Sequence, residues 1–326
     1  MEHDEGGNHA GHEHGEAKAG HGHGHGHGHG DGDPTATRPS AFAIGIALNL
    51  AFVVVEVIYG LLSHSMALVA DAGHNLGDVL GLGLAWGAAL LAKRRPTLHR
   101  TYGLRGTTIL ASLTNSLVLL FVTGGIAWES IRRILVPEHV HASTVIVVAL
   151  VGVVINGASA MLFMAGRKGD LNIRSAFVHL AADAALALGV AIAATVMLFT
   201  GWIWLDPVVS ILLSAFILVS TWSLLKDSTN LILAAVPEGI DAEAVRLYLT
   251  SLPGVLEVHD FHVWAMSTTE NALTAHLVMP TEKCHPKFLG DACHAIQEKF
   301  GIGHSTLQVE SPDAPHSCRQ APEGTV

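Results

Sequence analysis

Six long apolar runs constrain this chain more than any other feature of its sequence. They lie at residues 42–62, 66–92, 109–134, 143–165, 176–199 and 202–224. Each reaches the length of about 20 residues with which a helix crosses a bilayer. Hydrophobic residues make up 50% of the chain and charged residues only 14%, a balance that is unusual for a soluble protein. The sequence therefore predicts an α-helical membrane protein with six transmembrane helices, over residues 41–226.

The positions of lysine and arginine indicate which loops face the cytosol. Eight of these residues lie between runs two and three or between runs four and five: Lys93, Arg94, Arg95, Arg100, Arg105, Arg167, Lys168 and Arg174. Short loops that are rich in Lys and Arg stay on the cytosolic side, although Arg132 and Arg133 break this rule. Six spans then place both termini in the cytosol. Neither this pattern nor the net charge of -10 indicates a nucleic-acid partner.

Residues 1–40 form a polar tail in which isolated histidines precede the alternating run HGHGHGHGHG at residues 21–30. The tail has almost nothing that could form a core, so we predict that it is disordered. An expression tag is the alternative, but tags are usually contiguous histidines. Neutral imidazoles on a flexible chain bind Zn(II), Ni(II) or Cu(II) weakly and exchange them quickly. We therefore predict a tail that collects metal ions.

Residues 236–312 have the periodicity of a small cytosolic domain. The segment DAEAVRLYLTSLPG predicts a helix capped by Asp241, and PKFLGDACHAIQEKFG predicts a second helix that ends at Gly301. Three strands are predicted at VLEVHDFHVWAMS, NALTAHLVMP and HSTLQVES. The order α-β-β-α-β predicts a small α+β domain, followed by a flexible tail at 313–326. Three cysteines on the reducing side of the membrane predict no disulfide.

Four polar residues of the second run fall on one helix face. Asp71, His74, Asn75 and Asp78 follow the spacing i, i+3, i+4 and i+7. Such a stripe faces the bundle interior or a water-filled cavity, because exposing charge to lipid costs several kcal/mol. The fifth run repeats the His-x-x-x-Asp spacing at His179 and Asp183.

Two imidazoles and two carboxylates form a complete tetrahedral ligand set for Zn2+. A catalytic zinc ion keeps an open position and needs a general base, and the chain has no H-E-x-x-H motif. We therefore predict metal binding at His74, Asp78, His179 and Asp183, and no catalytic residues. Buried hydrogen bonds between helices are the alternative interpretation. Asp71 is a candidate outer-shell acceptor.

The chain resembles the cation diffusion facilitators, the zinc transporters of the bacterial cobalt-zinc-cadmium efflux type. The resemblance covers residues 41–312 and is carried by SMALVADAGHNLGDVLGL, SAFVHLAAD, GWIWLDPVVSILLS and PGVLEVHDFHVWAMS. It implies a homodimer, a ferredoxin-like cytosolic domain, exchange of metal for protons, and a transport site at the four residues named above. Many relatives carry a Glu where this chain has Thr108.

The cytosolic domain contains further candidate ligands. His259, His276 and Glu310 match positions that bind metal in family members, and His316 with Cys318 form a candidate pair in the tail. Surface histidines without a metal are the alternative. Regular strand alternation places His259 and Phe261 on the same face, which favours a packing role for His259.

These features predict a proton-coupled antiporter that exports Zn2+, and also Co2+, Cd2+ and Ni2+, from the cytosol across a bacterial inner membrane. Zn2+ is then both the cargo and a regulatory ligand. Two alternatives remain, a membrane metalloenzyme and a membrane-bound metal sensor that uses its cytosolic domain.

Overall fold

The computed structural model describes residues 39–164, 171–283 and 285–313, with side chains described except at 39–49, 171–172 and 286. The histidine-rich tail at residues 1–38 lies outside the described residues. His316 and Cys318 also lie outside the described residues, so metal binding by this pair stays a prediction.

Six long helices form the first part of the described chain. They are α1 (Pro39–Leu62), α2 (Met66–Ala92), α3 (Thr107–Leu135), α4 (Ala142–Phe163), α5 (Leu171–Thr200) and α6 (Leu205–Ile232). Helices α2 to α6 are long and apolar enough to cross a membrane, while the described side chains of α1 begin only at Leu50. The sixth run was predicted at 202–224, but α6 begins and ends later. A turn through Gly201, whose φ is +71°, separates α5 from α6.

Polar residues between the helices make the hydrogen bonds that a membrane interior requires. The Asp206 carboxylate accepts hydrogen bonds from the Ser65 hydroxyl at 2.5 Å and from the Met66 backbone N–H at 2.7 Å. It thereby joins the first turn of α2 to α6. Ser130 of α3 donates to Ser210 of α6 at 2.8 Å.

The second part of the described chain is a three-stranded sheet with two helices. Its elements are α7 (Ala242–Thr250), β1 (Glu257–Ala265), β2 (Asn271–Val278), α8 (Pro286–Phe300) and β3 (His304–Glu310), with a 3-10 turn at Thr281–Lys283. Strand β2 is central, antiparallel to β1 and parallel to β3. Asp241 caps α7, and Gly301 ends α8 in the left-handed conformation. The predicted order α-β-β-α-β is confirmed.

A bulge in β1 corrects the predicted faces of this strand. Pairing with β2 shifts between His259 and His262, and Asp260 has a φ of +46°. Phe261 packs in the core with Val258, whereas His259 pairs with His276 across the strands. His259 and Phe261 therefore lie on opposite faces. The prediction that they share a face was wrong, because an extra residue in a strand reverses its alternation.

The loop between α2 and α3 contacts the sheet domain. Arg105 forms an ion pair with Glu270 at 3.1 Å, and the Thr108 hydroxyl accepts a hydrogen bond from the Thr268 backbone at 3.0 Å. The Tyr102 and His304 rings meet edge to face at 5.5 Å. Thr108 therefore helps to join the two parts of the chain.

Candidate metal sites

Helices α2 and α5 bring the four predicted ligands together. His74 and Asp78 lie one turn apart on α2, and His179 and Asp183 lie one turn apart on α5. Each imidazole contacts both carboxylates. His74 Nε2 lies 3.9 Å from Asp78 Oδ2 and 3.5 Å from Asp183 Oδ1. His179 Nε2 lies 3.3 Å from Asp78 Oδ2 and 3.6 Å from Asp183 Oδ2.

These separations suit a shared metal ion better than direct hydrogen bonds. An N–H···O bond has a donor–acceptor distance of about 2.7–3.2 Å, and all four contacts are longer. Ligand atoms that lie about 2.0–2.2 Å from a tetrahedral zinc ion are roughly 3.3–3.6 Å from one another. His74, Asp78 and Asp183 each offer a ligand atom within 4.8 Å of the other two.

The environment of this site is asymmetric. Asp183 is buried and its side chain is only 6% exposed, whereas the His179 side chain is 47% exposed. The accessible side of the cluster therefore lies at His179. Asp183 Oδ1 has no hydrogen-bond partner in the described chain, and a buried carboxylate oxygen without a partner is costly unless a cation is bound.

A second buried polar cluster, formed by Glu56, Asp71 and Asn75, lies beside the four residues. The sequence did not predict that these three residues meet. Asn75 donates a hydrogen bond to Glu56 of α1 at 3.0 Å, and Glu56 interacts with the buried carboxylate of Asp71. Asp71 thus faces α1, and its predicted role as an outer-shell acceptor remains a prediction. An acidic residue in an apolar span is the signal that singles out Glu56.

The sheet domain assembles His259, His276 and Glu310 into one cluster. His276 Nδ1 lies 2.9 Å from Glu310 Oε1, and His259 Nε2 lies 3.4 Å from Glu310 Oε2. The two imidazole rings are 5.3 Å apart. Neither ring nitrogen of the buried His259 has a hydrogen-bond partner among the described residues. A metal ion bound to His259 would explain why these buried nitrogens make no hydrogen bond.

Asp260 is a candidate ligand that the sequence did not single out. Its carboxylate lies 3.4 Å from His276 Nε2 and 3.1 Å from His262 Nε2. Only the bulge turns it toward these rings, so strand alternation could not have found it. Cys293 is a free thiol, and burial raises its pKa. The thiolate form that binds metal is therefore disfavoured.

The membrane helices, and the imidazoles and carboxylates that they bring together, define a multi-pass integral membrane protein with a candidate metal site. Two family models match the chain. The model for the cation efflux transmembrane domain matches residues 42–233, and the model for the cation efflux protein, cytoplasmic domain, called ZT_dimer, matches residues 237–312. The chain therefore belongs to the cation diffusion facilitator family. This is a family of cation efflux transporters, so the protein is not an enzyme.

Curated relatives match most of the chain. The metal cation efflux system protein CzcD of Cupriavidus metallidurans is 35% identical over 85% of this chain and 87% of its own length. The zinc transporter ZitB of Escherichia coli is 37% identical over 79% of this chain and 83% of its own length. The cadmium, cobalt and zinc/H(+)-K(+) antiporter of Bacillus subtilis is 32% identical over 80% and 85%, respectively.

Solved structures match the chain as well. Among them is the metal-bound C-terminal domain of the CzcD transporter from Cupriavidus metallidurans, which is 33% identical and aligns with a TM-score of 0.20. The match covers 22% of this chain and 99% of that structure.

Proposed function

We propose that this protein is a proton-coupled antiporter that exports divalent metal ions, chiefly Zn2+, from the cytosol. The proposed transport site consists of His74, Asp78, His179 and Asp183. The observation that supports it best is the set of four imidazole–carboxylate contacts at 3.3–3.9 Å. Three of these contacts, at 3.3–3.6 Å, have about the length of one edge of a tetrahedron around zinc, and the fourth, between His74 and Asp78, is longer at 3.9 Å.

The ligand types favour borderline-soft cations. Two nitrogens and two oxygens suit Zn2+ and accommodate Co2+, Cd2+ and Ni2+, whereas Mg2+ and Mn2+ favour six oxygen ligands. The names of the relatives agree with this range, because ZitB is a zinc transporter and the Bacillus relative acts on cadmium, cobalt and zinc. Zinc is therefore the cargo that we propose first.

Proton coupling follows from the chemistry of the ligands. Zinc binds neutral imidazole and ionised carboxylate, so binding releases protons and protonation releases zinc. The same four groups can therefore carry either a metal ion or protons. Exchange requires that the site opens alternately to the two sides of the membrane. The antiporter from Bacillus subtilis, whose name includes H(+), supports this proposal.

The cytosolic domain is proposed to dimerise and to bind metal in a regulatory role. The name of the matching family model, ZT_dimer, supports a homodimer. His259, His276 and Glu310 are the proposed ligands, and Asp260 is a candidate fourth ligand because it faces His276 at 3.4 Å. We further propose that the protein lies in the bacterial inner membrane with both termini in the cytosol.

Zinc uptake into proteoliposomes with a pH gradient tests the antiport proposal. The purified full-length chain is reconstituted with a zinc-sensitive dye inside, and the inside is made acidic relative to the outside. We expect zinc accumulation that collapses when an ionophore removes the gradient. A metal sensor would bind zinc without transporting it, so absence of gradient-driven flux from a folded, zinc-binding protein would favour that alternative.

A further inference from the structure

Two loops at the outer end of the bundle lie close together. The cytoplasmic family domain follows α6 directly, so the C-terminal end of α6 is cytosolic and its N-terminal end is extracytosolic. Asp206, at that N-terminal end, binds the first turn of α2. The loop at residues 63–65 is therefore extracytosolic. The loop at 136–141 is extracytosolic too, because the His141 backbone N–H donates to the Ser63 carbonyl at 3.0 Å.

Four potential metal ligands, here called the outer histidine cluster, lie on these two loops: His64, Glu138, His139 and His141. The His141 ring lies next to both of the other two rings. His64 Nδ1 lies 3.4 Å from Glu138 Oε2. The His64 and His141 rings are 6.4 Å apart, and the His139 and His141 rings are 5.8 Å apart. All three imidazoles are exposed and accessible to an ion in solution.

The spacing of these rings is similar to that in the two sites described above. The ring separation is 6.1 Å between His74 and His179 and 5.3 Å between His259 and His276. Two imidazoles that share a tetrahedral zinc ion have ring centroids roughly 5 Å apart, given a Zn–N distance of about 2.0–2.1 Å. Side-chain rotations of exposed histidines readily supply a difference of this size.

Contacts with neighbouring residues hold the two loops of the outer histidine cluster in place. Arg133 donates a hydrogen bond to the His64 carbonyl at 2.6 Å, and His64 adopts a left-handed conformation with a φ of 56°. Val140, between His139 and His141, is buried and anchors the second loop. The two loops are therefore tied to each other and to α3.

We propose that the outer histidine cluster is a weak binding site for Zn2+ and similar divalent ions on the extracytosolic face. Arg133 lies 3.3 Å from Glu138 and competes with the metal for this carboxylate. The three imidazoles therefore provide most of the binding, which is consequently reversible.

The site is placed to receive ions that leave the transport site. His64 precedes His74 by ten positions, eight of which lie in α2 from Met66 onward. At the 1.5 Å rise of a helix and at most about 3.6 Å per non-helical residue, the two lie no more than about 19 Å apart along the chain direction. Metal binding at the outer cluster does not require transport, and only its role in release rests on the proposed function.

Histidine footprinting on the purified full-length chain tests the site. Diethyl pyrocarbonate modifies neutral imidazole nitrogens, and a bound metal ion blocks them. Mass spectrometry of the digest reads each histidine separately across a zinc titration. We expect His64, His139 and His141 to lose reactivity together, with a common zinc midpoint. His99, exposed in the loop between α2 and α3, should stay reactive, and Mg2+ should protect none of the cluster.

The exposed His139 provides the decisive variant. In His139→Gln we expect the zinc midpoint for His64 and His141 to rise at least about tenfold, since losing even an outer-shell partner costs about 10- to 100-fold in metal affinity. The control variant His99→Gln should leave that midpoint unchanged. The proposal would be overturned if the cluster histidines stayed as reactive as His99 at every zinc concentration. An unchanged zinc midpoint in His139→Gln would overturn it too. His74 and His179 report on the proposed transport site separately in the same digest.

Discussion

Replacing Asp183 by alanine is the sharpest test of the proposed transport site. The Asp183 carboxylate contacts both imidazoles, at 3.5 Å to His74 and 3.6 Å to His179. The substitution removes one of the four proposed ligands and one carboxylate from a buried position. Two histidines and Asp78 remain. Because Asp183 Oδ1 has no hydrogen-bond partner in the described chain, we expect the variant to stay folded.

The size of the effect follows from the number of ligands. Loss of an outer-shell partner alone costs about 10- to 100-fold in metal affinity, and loss of a direct ligand should cost at least as much. This range corresponds to about 1.4–2.8 kcal/mol of binding free energy. We expect Asp183→Ala, and likewise His179→Ala, to abolish zinc transport at low free zinc.

The assay is gradient-driven zinc uptake into proteoliposomes, together with gel filtration of the purified variants. Asp227→Ala is a matched control, because Asp227 lies on α6 and its described contact is a 3.4 Å hydrogen bond from Ser223. The control should transport zinc like the wild type. Normal zinc flux in Asp183→Ala or His179→Ala would refute the assignment of the site.

Three further predictions concern the tail, metal choice and helix packing. Deletion of residues 1–32 should leave transport intact but lower its rate at low free zinc, because the tail raises the local metal concentration. Complete inactivity would instead make the tail structural. His74→Asp replaces a nitrogen ligand of the proposed site by an oxygen ligand. In competitive uptake of paired metals, it should therefore shift the preference from zinc toward cadmium or manganese. An unchanged preference order would place selectivity elsewhere. Gly77→Ala should lower the free energy of unfolding by about 1–3 kcal/mol through overpacking, and so lower the melting temperature, since an added Cβ would lie 2.2 Å from a Leu119 methyl carbon. Gly83→Ala, with open space around it, is the control in the same melting experiment, and equal melting temperatures would contradict the packing argument.

The sequence by itself determined the membrane helices and the composition of the candidate transport site. Apolar runs of spanning length leave few alternatives in a bilayer, and the spacing in His74–Asp78 and His179–Asp183 places each pair on one helix face. The sequence also predicted the caps of the two cytosolic helices, at Asp241 and Gly301. All of these features depend on residues within a few turns of one another.

Tertiary structure alone decided which distant groups meet. Glu56 and Asn75 form a hydrogen bond across two helices, and Asp206 caps a helix that begins 140 positions earlier at Met66. The bulge in β1 moved Phe261 to the face opposite His259 and turned Asp260 toward His276. It arises from the pairing of β1 with β2, which no local periodicity encodes. The outer histidine cluster likewise exists only because the packing of the helices brings two separate loops together.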